Sequence, residues 1–198
     1  IAVSNSLTQW TRSVTGIAST TGLAAGDVVL ISNDEVVAPG MNLSTRKKGE
    51  LNVIATVDSG TAVTLTHGMA LAYGTTGLTI RKMTPTENVT IRNGNIIMGG
   101  VGSAHNGAEI AYGRNARIEK IRCDGAEDVA LGLKSVLNGD IENNVAINCT
   151  SSATLGSTGY GACVWDASRH VRVTNNYFQN NRHHIAGGGI LPPMFVDV

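Results

Sequence analysis

The sequence predicts an all-β protein: a right-handed parallel β-helix, or solenoid, led by a β-rich N-terminal cap. Three observations point there. Short apolar segments alternate with turn residues, and no helical period runs through the chain. A degenerate motif recurs in the second half at unequal spacing. The composition, with 24 Gly and only 8 aromatics among 198 residues (2 Phe, 2 Trp, 4 Tyr), suits many short strands better than a helical bundle.

In chain order, the first apolar segments are Val28 to Ile31, Leu51 to Val57, Ala62 to Leu65, Leu78 to Ile80 and Val89 to Ile91. Gly, Asn, Asp or Pro bound each one, and Gly26-Asp27 and Ser59-Gly60 read as tight turns. Residues 1–86 lack the later motif. They are expected to form a β-rich leading region that covers the open end of the solenoid or makes its first irregular coils, because exposed strand edges need cover.

Residues 87–198 carry the repeat. Its four copies begin at Ile91, Ile118, Ile141 and Val173, and each has an apolar or small residue five positions later: Ile96, Cys123, Ala146 and Phe178. The third positions are Asn93, Lys120, Asn143 and Asn175. The copies stand 27, 23 and 32 residues apart (91 to 118, 118 to 141, 141 to 173). A preserved strand with elastic spacing is what a solenoid tolerates, since its loops can grow without disturbing the stack. Asn suits the turns because it accepts the left-handed conformation and can ladder. A second strand falls in each interval, at Ile110-Ala-Tyr112, Val129-Ala-Leu131, Ala162-Cys-Val164 and Ile185-Ala186. A leucine-rich repeat fails for want of regular Leu spacing and helical segments.

The formal net charge is zero, with 15 basic and 15 acidic residues, which argues against nucleic acid or an anionic membrane as main partner. No apolar run approaches the roughly 18 residues that cross a bilayer, so no membrane insertion is expected. No signal peptide is read at the start. The chain opens at Ile1 and stops shortly after Gly187-Gly-Gly189, so it is read as part of a larger polypeptide whose solenoid continues beyond it. Cys123, Cys149 and Cys163 lack metal-ligand spacing and read as small buried hydrophobes.

Three stretches resemble the pectate-lyase-like β-helix proteins, especially those of phage tails, tailspikes included. They are Gly22 to Ile31; Lys48 to Ile54 with Val63 to Leu65 and Pro85 to Ile91; and Gly159 to Gly161 with Val171 to Phe178 and Arg182-His183. The resemblance implies a virion or extracellular location, a homotrimer, other virion tail proteins as partners, and bacterial surface polysaccharide as ligand. Pectate lyases proper bind Ca²⁺ through acids on one face. Here Asp124, Glu127 and Asp128 share one turn without matching acids on neighbouring coils, so no metal or other cofactor is expected.

Setting Ile110, Val129, Ala162 and Ile185 in line puts Glu109 beside Asp128, with Tyr160, Gly161, His183 and His184 on the next coils. Two carboxylates one coil apart, roughly 5–6 Å, approach the separation of a retaining glycosidase. Glu109 and Asp128 are therefore the candidate catalytic pair; the alternative is that both are solvated turn residues. Tyr160, Arg182, His183, His184 and Asp166 are the candidate substrate-binding residues. Of His183 and His184 one faces outward, because strand neighbours alternate. Asp166, with Arg169-His170, forms an exposed acid–base grouping or simply caps a turn. Trp10 and Trp165 can stack on sugar rings, although packing is the commoner fate of a single Trp. The leading expectation is a tailspike-like protein that binds and depolymerises polysaccharide, with hydrolysis ahead of β-elimination. A non-enzymatic structural or adhesive tail component is the rival.

Overall fold

The computed structural model describes residues 1–37, 46–98, 105–150, 158–191 and 193–198. It is all-β, with no helix among the described residues and hence none long and apolar enough to cross a membrane.

The N-terminal part is an antiparallel sheet of β1 (Ser13–Thr15), β2 (Val28–Val36), β3 (Lys47–Ser59), β4 (Ala62–Leu65) and β5 (Thr79–Met83), in the order β1-β4-β3-β2-β5. The expected Ser59-Gly60 turn joins β3 to β4. The apolar run Val28-Val29-Leu30-Ile31 lacks alternation because both faces of β2 are covered. Val29 and Ile31 enter this unit's own core with Val14, Ile54, Leu65 and Tyr73, while Val28 and Leu30 meet Leu137, Ala167 and Leu191 of the solenoid. The unit thus lies along the solenoid's flank. Arg169 crosses the junction: 1% exposed, it pairs with the fully buried Glu50 at 3.4 Å and donates to the carbonyls of Gly68 (2.6 Å) and Leu51 (3.4 Å). Arg169 is therefore not part of an exposed acid–base grouping.

Four coils follow. The first holds β6 (Thr86–Glu87), β7 (Thr90–Ile97) and β8 (Ala108–Ala111); the second, β9 (Gly113–Asp124) and β10 (Val129–Lys134). The third holds β11 (Leu137–Glu142), β12 (Val145–Ile147) and β13 (Tyr160–Trp165). The fourth holds β14 (Arg169–Thr174), β15 (Tyr177–Gln179) and β16 (His183–Gly188), and β17 (Met194–Asp197) starts another level. All pairings between coils are parallel, β8-β10-β13-β16 making one sheet and the other solenoid strands a second.

The repeat read from the sequence is the register of the second sheet. Ile91, Ile118, Ile141 and Val173 are direct partners, as are Ile96, Cys123, Ala146 and Phe178. The third positions bend the chain: Asn93, Lys120, Asn143 and Asn175 all have φ between 54° and 58°. Beside that bend, Asn144 (2% exposed) donates to the Ile118 carbonyl (3.0 Å), accepts from the Ile121 amide (2.9 Å) and donates to Asn176 (2.9 Å). An interior Asn ladder thereby satisfies backbone groups that the turn leaves without strand partners. The three cysteines are free and buried, Cys123 and Cys149 within the solenoid core.

Candidate functional site

The outer face of the β8-β10-β13-β16 sheet holds most of the residues singled out from the sequence. On β8, Ala108 and Ile110 enter the core and Glu109 points out. Glu109, Gly132, Cys163 and Ala186 are successive partners, so the face has a floor of small residues. The next outward row is Lys134, Trp165 and Gly188. Trp165 lies across Gly132, where an added Cβ would meet its ring at 2.7 Å. Glycine there lets the indole lie flat on the sheet. At the other end of the strands Tyr160 and His183 are register partners with stacked rings, 5.6 Å apart and 18° from parallel.

The second-strand register differs from the one expected. Ile110 pairs with Leu133 rather than Val129, a slip of four residues, and Ala162 pairs with Leu131, a slip of two; the pairing of Ala162 with Ile185 holds. Glu109 therefore sits beside Gly132, while Asp128 adjoins His105 and Gly159. Four residues of strand are about 13 Å. The backbones of the two residues are therefore offset along the strands instead of lying side by side. Glu109 and Asp128 are not adjacent. The slip was invisible in the sequence because Val129-Ala-Leu-Gly-Leu133 is buried throughout and has no alternating phase.

The other candidates separate by role. Asp166 caps the Ile190 amide (2.9 Å) and pairs with Lys134 (3.4 Å), the turn-capping alternative. His184 turns away from the outer face and stacks on Phe178 at 6.0 Å, so the two histidines do face opposite ways. Arg182 is exposed beside them. Glu109 accepts a hydrogen bond from Asn106.

Asp128, Tyr160, Cys163 and Trp165 line a cavity of about 270 Å³ together with Arg46 and the Gly187–Gly189 backbone. Burial raises the Asp128 carboxyl above its ordinary value. Burial also pushes the Cys163 thiol up to about 12, with the charges of Asp128, Asp166 and Glu109 acting the same way and Arg46 opposing them. A buried thiol held protonated on the floor of the cleft is a poor nucleophile. No cluster of three metal-ligating side chains occurs among the described residues. Sequence reasoning missed Arg46. It reaches the face because the start of β3 is tied to the fourth coil, Lys47 donating to the Ile190 carbonyl (2.9 Å) and Leu191 covering Gly49. No local pattern could have signalled that contact.

Residues 52–191 match the family model described as the right handed beta helix region. The chain belongs to that family. Among solved structures, this β-helix is similar to the tailspike protein gp49 from Pseudomonas phage LKA1 (TM-score 0.76, 22% identity, covering 97% of this chain and 31% of that one). It is similar to the Pseudomonas phage phi297 tailspike gp61 (0.77, 17%, covering 94% and 30%). It is also similar to the Gp54 tailspike of Acinetobacter baumannii bacteriophage AP22, solved in complex with A. baumannii capsular saccharide (0.57, 13%, covering 88% and 40%). The β-helix chain thus spans about a third of the length of these tailspikes. No curated protein matches the sequence.

Proposed function

We propose that this β-helix is part of a phage tailspike that binds bacterial surface polysaccharide across the outer face of β8-β10-β13-β16. One observation carries the reading: Trp165 lies flat on a small-residue floor, in line with the stacked Tyr160 and His183 and beside Asp128 and Arg46. Aromatic faces for sugar rings, flanked by a few polar groups, are the makings of a saccharide site. The same fold in three tailspikes, one solved with a capsular saccharide, supports it. Location in a virion tail, homotrimerisation and contacts with other tail proteins belong to the same reading.

Depolymerisation is its finer part. Water adds at the anomeric carbon as the glycosidic C–O bond breaks. Asp128, lining the cleft beside Tyr160 and Trp165 with its carboxyl raised by burial, gives its proton to the leaving oxygen and regains one from the added water. Glu109 is a binding carboxylate on this geometry.

The test uses the protein that carries this chain on a panel of purified capsular and O-antigen polysaccharides. Binding is expected, weakened roughly tenfold or more by Trp165→Ala. New reducing ends are expected too, lost in Asp128→Asn while binding persists. Binding without new ends would make the protein an adhesive or structural component. Ultraviolet absorbance from unsaturated sugars would instead make it a β-eliminating lyase. Absence of binding across the panel refutes the proposal.

A further inference from the structure

A second groove lies on another face of the solenoid. It has a volume of about 850 Å³ and runs along the stack from Asn88 and Arg92 to Asp197. In-register residues build its wall: Thr90, Arg117, Asp140, Arg172 and Asp197 form one column, and Arg92 and Glu119 begin the next, which Glu142 and Thr174 continue outside the groove. Arg117 sits between Asp140 (3.3 Å), Glu142 (3.3 Å) and Glu119 (3.7 Å), and Arg172 holds Asp140 at 2.8 Å. These pairs fix planar donors and acceptors in place. Among the described residues, the side chains of Arg92 and Asp197 at the two ends have no hydrogen bond or ion pair.

The groove ends in aromatics. Phe195 and His170 line it, stacked at 5.3 Å and 11° from parallel, and Trp10 of the N-terminal unit stands 6.1 Å from Phe195. Trp10 is 62% exposed and Phe195 42%. Trp10 holds a left-handed backbone, φ 69°, which bulky residues rarely adopt, whereas Phe195 (φ 54°) sits at the bend that Asn88, Asn115, Asn138 and His170 make on the preceding coils. Trp10 is kept there by the hydrogen bond its backbone amide donates to the Met69 carbonyl (2.8 Å) and by Gly68, whose missing Cβ leaves room for the Trp10 carbonyl. A strained backbone holding a large apolar ring in solvent needs a reason beyond packing.

We propose that this axial groove is a second glycan-binding site, taking an oligosaccharide segment poor in acidic sugars. Trp10 and Phe195 supply stacking faces, and the Arg117–Asp140–Arg172 row supplies hydrogen bonds to hydroxyls. The proposal rests on the saccharide-binding reading above. Three carboxylates (Glu119, Asp140, Asp197) lining the groove balance its three guanidinium groups (Arg92, Arg117, Arg172), leaving no net positive charge to hold a polyanion, nucleic acid included. Five in-register levels at about 4.8 Å give a wall long enough for several linked sugars.

The chain has two tryptophans, Trp165 at the first site and Trp10 beside Phe195 at the end of the groove. Trp165→Phe leaves Trp10 to report on the axial groove, and Trp10→Phe leaves Trp165 to report on the other face. Each variant is titrated with oligosaccharides from bacterial capsules and O-antigens, divided into uronate-free and uronate-rich sets. Saturable change in Trp10 emission with uronate-free oligosaccharides is expected, weakened tenfold or more by Arg172→Ala. That side chain is 60% exposed, so its loss spares the fold. A response from Trp165 alone overturns the second site and leaves the first. Silence from both tryptophans overturns both. A Trp10 response to protein concentration without saccharide also overturns the proposal, and marks the groove as a contact between copies of the chain.

Discussion

Glu50→Gln tests what governs the junction between the two parts of the molecule. Glu50 is fully buried, its two oxygens share one bifurcated hydrogen bond from the Ala70 amide (2.8 and 3.1 Å), and it faces Arg169 at 3.4 Å. Burial raises its carboxyl to about 7; Arg169 and the Ala70 amide pull the other way and do not prevail. The folded chain then keeps a proton on Glu50 where the unfolded chain has released it, so stability falls as pH rises from about 4.5 to about 7. A tenfold difference in proton affinity between the two states corresponds to about 1.4 kcal/mol, giving a loss of about 1 kcal/mol by pH 5 and about 3 by pH 7.5. Gln keeps an acceptor for Ala70 and cannot ionise. Between pH 5 and pH 7.5 the variant should therefore gain about 2 kcal/mol relative to the parent chain, or roughly 4–8 °C in Tm. Thermal unfolding of both chains across that range reads this directly. Parallel curves would mean Glu50 does not titrate there. A variant that loses ground as pH rises would mean the ion pair outweighs burial, refuting the reasoning.

Three further outcomes follow from the solenoid itself. Asn144→Leu strips partners from the Ile121 amide and the Ile118 carbonyl, so it should cost about 2–4 kcal/mol in denaturant unfolding. Ile118→Ala, in the centre of the repeat column, should cost about 2–5 kcal/mol, whereas Ile97→Ala, at a side chain 74% exposed, should stay within about 0.5. Gly132→Ala displaces the free end of the Trp165 ring rather than backbone, so Tm should change little while Trp165 emission shifts and polysaccharide binding weakens.

The division between what was legible in the sequence and what was not follows the range of the interactions. Ile91, Ile118, Ile141 and Val173 could be aligned because a buried β-branched residue beside a left-handed turn leaves a local mark, Asn at three of four bends. That mark repeats whatever the loop length, so the sequence alone determined the fold class and the register of one sheet. It also nominated Asp128, Tyr160, His183 and Trp165, which share one face. The other sheet left no such mark: Val129 to Leu133 is buried throughout, and the four-residue slip that separates Glu109 from Asp128 became visible only when the strands were paired. Arg46 and Trp10 are the extreme cases. Each gains its surroundings from a solenoid level more than a hundred residues away, Arg46 beside Gly188 and Trp10 beside Phe195. Such contacts are decided by how the antiparallel unit docks along the flank through Leu30, Leu137, Leu191 and the Glu50–Arg169 pair, and tertiary packing alone specifies that docking.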